Sequence, residues 1–156
     1  MRRVDPPAVY QYRVRSRDPQ GNVSPWSAIT PLRPSIVQEK GAVSYSGTWR
    51  KVPDTNASGG WIARSSAPGS TASFSFSGKS IALAMPTRST LGTAKVCLDP
   101  GTTHQICRTV DLSPSTGSLA PRRLVFARDG LSAVTHRLRV TVASGTVDLD
   151  AFAVLR

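Results

Sequence analysis

The sequence predicts an all-β protein, a sandwich of antiparallel strands, and three observations support this. Apolar and polar residues alternate with a period of two along most segments, the pattern of a strand with one buried face. No window of about a dozen residues keeps the apolar stripe of a helix. Glycine and proline, with 12 residues each in a chain of 156, divide the alternating runs into short segments joined by turns.

Each alternating run predicts one strand and its buried face. The residues expected to face the core are, in chain order, Ala72, Phe74 and Phe76; Ile81, Leu83 and Met85; Ala94, Val96 and Leu98; Leu124 and Phe126; and His136, Leu138, Val140 and Val142. The last run places Val147, Leu149, Ala151, Ala153 and Leu155 on one face, and Asp148, Asp150, Phe152 and Val154 on the other. Turn sequences such as Ser58-Gly59-Gly60 separate these runs.

Charge and composition limit the classes of function. The 20 Lys+Arg and 9 Asp+Glu residues give a net charge of +11, while 39% hydrophobic residues exclude a disordered chain. No apolar run reaches the roughly 20 residues of a membrane span. The clusters Arg13–Arg17 and Arg137–Arg139 alternate with other residues, which indicates solvated strand faces rather than a nucleic-acid patch. A diffuse attraction to an anionic polymer stays open.

The two cysteines predict a cross-strand disulfide. If Cys97 and Cys107 lie opposite one another in a hairpin, Leu98 pairs with Ile106, Pro100 to His104 form the loop, and both thiols share a face. Such a bridge contributes about 2.8 kcal/mol in the chain-entropy picture. A metal or redox site is the weaker alternative, because the C-x-x-C spacing is missing. A disulfide implies an oxidising, extracellular setting.

Residues 1–33 are predicted to be a separate part of the chain. Two strands over Val9 to Ile29 surround a turn at Asp18 to Asn22, and the prolines of Pro31-Leu32-Arg33-Pro34 mark a linker. A lone hairpin is marginally stable in water, so these strands need further partners.

The run Val4 to Ser27, with Tyr10-Gln11-Tyr12-Arg13-Val14 and Gly21-Asn22-Val23-Ser24, resembles the last two strands of a fibronectin type III domain. The resemblance implies that Tyr10 is the corner tyrosine and that Trp26 lies on the final strand. It also implies that the chain is the C-terminal piece of a longer multidomain protein. A strand pair adapted to cap the second domain is the alternative.

Residues 34–156 are long enough for a complete sandwich, predicted to be a jelly roll of eight or nine strands. They resemble the galactose-binding-like, carbohydrate-binding-module-like domains of secreted bacterial enzymes and surface proteins. The segments that carry the resemblance are Ser46–Trp49, Gly69–Gly78, Gly92–Asp99, Val125–Leu131, Thr135–Val140 and Val147–Phe152. The resemblance implies a secreted or cell-surface accessory module that binds carbohydrate or cell-wall polymer. A structural or adhesive spacer without a small ligand is the alternative.

No catalytic constellation emerges from the sequence, so we predict that the chain is not an enzyme. Asp148 and Asp150 form the one close carboxylate pair, whereas general acid–base work needs such a pair or a poised histidine. His104 falls in the predicted hairpin loop, and His136 falls on an apolar strand face that favours a core histidine. The sequence has no G-x-S-x-G elbow.

Calcium is the one cofactor that the resemblance implies. Some jelly-roll carbohydrate-binding modules hold a structural calcium between an early glutamate and an aspartate on the last strand. Glu39 and Asp150, with Asp148 nearby, match those locations, and backbone carbonyls would complete the 6–8 oxygen ligands. Solvated or arginine-paired carboxylates are the alternative.

The predicted sugar-binding group surrounds Trp61. An aromatic ring stacks on the apolar face of a pyranose, and Asn56, Asp54 and Arg64 are close enough in sequence to bind its hydroxyls. In the alternative, Trp61 begins a strand and folds inward. Trp49 sits in an alternating run and is predicted to pack in the core.

Overall fold

The fold was obtained as a computed structural model that describes residues 9, 11, 13–28, 31, 34–113 and 120–156. Regular secondary structure in these residues consists of twelve antiparallel strands. They are β1 (Pro34–Gln38), β2 (Val43–Ser46), β3 (Arg50–Pro53), β4 (Trp61–Ser65), β5 (Thr71–Ser77), β6 (Ser80–Thr87), β7 (Thr93–Leu98), β8 (Ile106–Asp111), β9 (Ala120–Arg128), β10 (Thr135–Ser144), β11 (Val147–Leu149) and β12 (Ala151–Leu155).

The strands form three sheets, and all three contribute side chains to the core. One has the order β1-β12-β6-β9, another β2-β5-β10-β7-β8, and a small sheet has the order β11-β4-β3. Phe74 of β5 and Phe152 of β12 stack across the sandwich with ring centroids 4.7 Å apart. The predicted all-β sandwich is confirmed. It has twelve strands rather than eight or nine, because short strands such as β3 and β11 form the small sheet.

The period-two pattern located most of the core correctly. On β5, β6, β7 and β10 the predicted inward residues are buried, including Leu83, Val96 and Leu138. Outward residues between them are exposed or half-buried, as Arg137 and Arg139 are, except for the disulfide-bonded Cys97, which is buried. Burial of each large aliphatic side chain stabilises the fold by roughly 1.5–3 kcal/mol, which fixes the register of these strands.

On β9 the predicted inward face is correct for Phe126 and wrong for Leu124. Leu124 is 63% exposed, whereas Val125 and Phe126 are buried. The pairing with β6 shifts by one residue at this point, so β9 carries a bulge that turns Leu124 outward.

For the last alternating run, the predicted inward face is correct as far as Leu149 and fails beyond Asp150, where the core residues come from the opposite face. Val147 and Leu149 belong to the core on β11, but Phe152 and Val154 take over on β12. Asp150 itself belongs to neither strand, because the chain leaves the small sheet there and joins the four-stranded sheet.

The disulfide prediction is confirmed. Cys97 of β7 and Cys107 of β8 are bonded and lie directly opposite one another, and Leu98 pairs with Ile106. The connecting loop covers residues 99–105, longer than the predicted Pro100 to His104. The bond therefore ties the edge strand of the five-stranded sheet to its neighbour.

The N-terminal segment reverses direction where the sequence predicted a turn. Arg17 and Val23 form a bridge, and Ser24 donates its backbone N–H to the carbonyl of Ser16 at 3.0 Å. Trp26 is exposed, and Tyr10 lies outside the described residues. The fibronectin type III resemblance and the domain boundary at residues 33/34 stay predictions.

Within the described part of the chain, no helix has the length and hydropathy of a membrane span.

Candidate functional site

Three charged residues form a row across the small sheet. Arg50 of β3 lies opposite Arg64 of β4, and Arg64 lies opposite Asp148 of β11. Directly opposed residues in an antiparallel pair project from the same face of a sheet. The three side chains therefore share one face, while the neighbouring Ala63 packs into the hydrophobic core.

Asp148 is the buried anchor of this row. Its carboxylate accepts two hydrogen bonds from Arg64, from Nε at 2.6 Å and from Nη2 at 2.7 Å, and a further one from Nη2 of Arg88. The Asp148 side chain is fully buried, whereas the Arg64 and Arg88 side chains are 21% and 26% exposed. A buried carboxylate needs such partners. The bond to Asp148 in turn raises the pKa of Arg64.

Arg50, Arg64 and Arg88 line a cleft of about 500 Å³, which we call the arginine cleft. Asp54 lies on its wall, with Oδ2 4.0 Å from Nη1 of Arg88. The cleft combines guanidinium groups, one carboxylate, two hydroxyls and three apolar side chains. Its lining residues are Arg50, Val52, Pro53, Asp54, Arg64, Arg88, Thr90, Leu91 and Thr146.

Two glycines hold the loops that form one wall of the cleft. Gly92 follows Leu91, and Gly145 precedes Thr146; a Cβ atom added to Gly92 would overlap the carbonyl of Ser144 and the backbone of Gly145. Gly92 also donates its N–H to the carbonyl of Thr146 at 2.7 Å. Because only glycine permits this close approach, the two loops are held in contact.

The structure divides the group of residues that was predicted to bind sugar. Arg64 and Asp54 line the arginine cleft, but Trp61 and Asn56 do not. Trp61 begins β4, as in the alternative reading, and is half-buried on the opposite face of the small sheet. The ammonium group of Lys51 lies 4.0 Å from the centroid of its ring.

Asn56 lies in the turn between β3 and β4, and its backbone N–H and carbonyl are both hydrogen-bonded. Its N–H donates to Oδ1 of Asp54 at 2.9 Å, and its carbonyl accepts a bond from Nε of Arg122 at 2.8 Å. Trp49, predicted to be a core residue, is half-buried and packs against the hydrophobic core.

The structure also separates the predicted calcium ligands, with Asp148 in one place and Glu39 and Asp150 together in another. Asp148 is occupied by two guanidinium groups, so the alternative of arginine pairing holds for this carboxylate. Glu39 and Asp150 are buried beside each other, and Glu39 donates its backbone N–H to the Asp150 carbonyl at 3.0 Å. The pKa of Asp150 is raised to about 6, mainly by burial; the nearby charge of Glu39 contributes to the rise, while the hydrogen bond from Ser58 and the charge of Arg122 oppose it.

Two buried side-chain oxygens, one in Glu39 itself and one in the adjacent Gln38, have no hydrogen-bond partner among the described residues. They are Oε1 of Glu39 and Oε1 of Gln38. Carboxylate and amide oxygens are the donors that a hard cation prefers, so the residues present fit calcium in their chemistry. The described residues include no group of three or more His, Cys, Asp and Glu that could hold a metal, so carbonyl or water oxygens would have to complete the shell.

A second cleft, of about 650 Å³, lies between the loop after β7 and the loop after β9, and we call it the histidine cleft. His136 is buried at its base. Its Nδ1 lies 2.7 Å from Oδ2 of Asp99, and its Nε2 lies 3.0 Å from the Ser132 carbonyl. The bond to Asp99 raises the pKa of His136. Both ring nitrogens therefore face acceptors within the protein.

Sequence reasoning missed Arg50 and Arg88 as members of the site. Arg88 lies in the loop after β6, outside any motif. Arg50 is distant from Arg64 along the chain and joins it only through the pairing of β3 with β4. The one available signal was that Arg50 and Val52 are two residues apart, which places both on the same face of a strand.

The fold resembles domains within carbohydrate-active enzymes of known structure. A family two carbohydrate esterase from Cellvibrio japonicus matches 80% of this chain at 14% identity, with a TM-score of 0.55. An exo-β-1,3-galactanase from Phanerochaete chrysosporium matches 85% at 14% identity, with a TM-score of 0.56. A Paenibacillus xanthan lyase matches 70% at 18% identity, with a TM-score of 0.52.

The chain spans only part of each of these proteins: 34% of the esterase, 30% of the galactanase and 12% of the lyase. At such low identity the likeness is one of fold. No protein-family model matches the sequence. No curated protein matches it either.

Proposed function

We propose that this chain is a non-catalytic accessory module of a larger secreted or surface-attached bacterial protein, and that it binds carbohydrate or cell-wall polymer. The observation that carries the proposal is the shared fold, which covers most of this chain but only 34% and 30% of two carbohydrate-active enzymes. A unit of that extent is the size of an appended domain. The disulfide supports an extracellular setting.

The arginine cleft is the proposed binding site, with Asp54 and Arg64 as ligand contacts. A polysaccharide chain is recognised by planar polar groups that bind its hydroxyls and by apolar surface under its C–H faces. The cleft offers both, through Asp54, Thr90 and Thr146 on one side and Val52 and Leu91 on the other. The histidine cleft offers less, because its central histidine is already bonded at both nitrogens.

We also propose that Glu39 and Asp150 hold a structural calcium, with the amide oxygen of Gln38 as a third ligand. Two neighbouring buried carboxylates repel each other, and a divalent cation would relieve this repulsion. We expect calcium to raise the melting temperature of the wild-type protein and to leave that of Asp150→Asn unchanged. An equal shift for both proteins, or none for either, would count against the site.

A structural or adhesive spacer is the second candidate function. The observation that favours it is the state of Trp61, whose ring is half-buried and contacted by Lys51 instead of standing free as a stacking platform. A spacer predicts no affinity for any glycan.

Depletion onto insoluble polymers separates the two candidates. We expect the protein to be removed from solution by at least one of chitin, cellulose, xylan and peptidoglycan, at low salt and with calcium. Asp54→Asn should weaken that binding, whereas Asp129→Asn, a matched change of an exposed aspartate beside the histidine cleft, should not. Failure to bind any polymer in a broad panel would favour the spacer.

A further inference from the structure

We propose that the ligand of the arginine cleft is an acidic saccharide, whose uronate carboxylate is bound by Arg50 together with Arg64 and Arg88. This inference rests on the proposed carbohydrate-binding function and specifies its substrate class. The charges around the cleft are unbalanced. Three guanidinium groups line the cleft, against the carboxylate of Asp54 on its wall and that of Asp148 beneath it.

The arrangement of the arginines is unfavourable without an additional anion. Arg50 and Arg64 lie directly opposite each other on neighbouring strands, and like charges in that position destabilise a sheet. Asp148 neutralises the inner side of Arg64, but the structure gives Arg50 no ion-pair partner among the described residues. A carboxylate placed between Arg50 and Arg64 would supply the missing charge.

Asp148 also holds the guanidinium groups of Arg64 and Arg88 in an orientation in which each can still donate to a ligand. It engages Nε and Nη2 of Arg64 and Nη2 of Arg88, which leaves the Nη1 group of each for another acceptor. Nη1 of Arg88 lies 4.0 Å from Oδ2 of Asp54, beyond hydrogen-bond length. Donors held in place before binding lose little freedom when a ligand arrives.

The remainder of the cleft fits a sugar ring that carries this carboxylate. Thr90 and Thr146 offer hydroxyls, Asp54 accepts bonds from sugar hydroxyls, and Val52 lies beside them as apolar surface. The volume of about 500 Å³ lies within the range of small-ligand sites. A simple inorganic anion would leave most of these groups unused, so the cleft favours an acidic saccharide.

An arginine outside the cleft serves as the control for Arg50. Arg108 is also exposed and also lies on an edge strand, β8, but it belongs to neither cleft. If the net positive charge alone attracted acidic polymers, Arg50 and Arg108 would contribute equally. If the cleft binds the carboxylate, only Arg50 matters.

Calorimetric titration with defined oligosaccharides tests the proposal. The probes are tetramers of galacturonate, mannuronate and guluronate, the methyl ester of the galacturonate tetramer, and neutral xylotetraose, all without added calcium so that no cation bridges carboxylates. We expect at least one acidic tetramer to bind about tenfold or more tightly than the neutral probes, because charge-assisted bonds to arginine are lost without the carboxylate.

The variants identify the groups responsible. Arg50→Gln should weaken acidic binding about tenfold or more, and Arg108→Gln should leave it within about twofold, with both variants melting like the wild-type protein. Equal weakening by the two variants would overturn the inference in favour of diffuse charge. Binding of neutral probes as tight as that of acidic ones would overturn it while leaving the proposed function intact. No binding to these probes or to the polymer panel would overturn both.

Discussion

The arginine cleft and the histidine cleft are both built around an aspartate paired with a basic side chain, yet they differ in what they leave for a ligand. Asp99 and the Ser132 carbonyl bond both nitrogens of His136. Asp148 bonds one side of Arg64 and of Arg88 and leaves their Nη1 groups. Both ring nitrogens of His136 have acceptors, whereas guanidinium donors remain in the arginine cleft, and this difference is why the proposed binding site lies there.

The largest effect is expected from Asp148→Ala, which removes the common partner of Arg64 and Arg88. Two partly buried guanidinium groups would then lose their shared counter-charge, and of the nearby carboxylates that of Asp54, 4.0 Å from Arg88, would remain. Because unpairing a buried ion pair costs about 3–5 kcal/mol, we expect a loss of that size in the free energy of unfolding. Urea denaturation measures it. A loss below about 1 kcal/mol would show that Asp148 is not the anchor of the cleft.

Removal of the disulfide is expected to have the next largest effect on stability. The local loosening should be confined to the region of the histidine cleft. In the double variant Cys97→Ser and Cys107→Ser, we expect the free energy of unfolding to fall by about 2.8 kcal/mol. Asp99 is two residues from Cys97, whereas Arg64 lies in another sheet. Hydrogen exchange should therefore accelerate around residues 93–111 more than around β4. Uniform acceleration would contradict this local role.

The pH dependence of His136 gives a smaller effect. Its pKa is raised in the folded protein by Asp99, so folding favours the protonated ring. The resulting stability is complete below the unfolded pKa of about 6.5 and is lost as the pH rises through the folded value. We expect the melting temperature to fall from pH 6 toward alkaline pH, and Asp99→Asn to flatten that slope. An unchanged slope in Asp99→Asn would assign it to other groups.

The smallest effect on stability is expected from Arg50→Gln. Arg50 is exposed on the edge strand of the small sheet, and surface changes of this kind stay within about 0.5 kcal/mol. Thermal melts of the variant and the wild-type protein should coincide in the absence of ligand. A large loss would place Arg50 with Asp148 as a structural residue and would weaken the distinction between the two clefts.

Local alternation predicted most of the fold because it reports burial directly. Leu83 and Leu138 follow the pattern, and the pairing of Cys97 with Cys107 could be deduced from hairpin geometry. The bulge at Leu124 and the change of sheet at Asp150 were not predictable, since each depends on packing between strands that are far apart in sequence.

The site was harder to predict than the fold. Nearness along the chain grouped Trp61 with Arg64, but residues separated by an odd number of positions on a strand point to opposite faces. The partners of Arg64 come instead from Arg50, Arg88 and Asp148, which only the tertiary fold brings together. The predicted carboxylate pair was divided for the same reason, because Asp148 meets arginines and Asp150 meets Glu39.

The Cys97–Cys107 bond has a consequence for the edge of the five-stranded sheet. β8 is the outermost strand there, and most of its side chains are exposed. An edge strand that detaches from its sheet can pair with another molecule and seed aggregation. A strand fastened covalently to its neighbour does not slip in register or exchange with a second copy. The oxidised protein should therefore tolerate crowding and high concentration better than the reduced one.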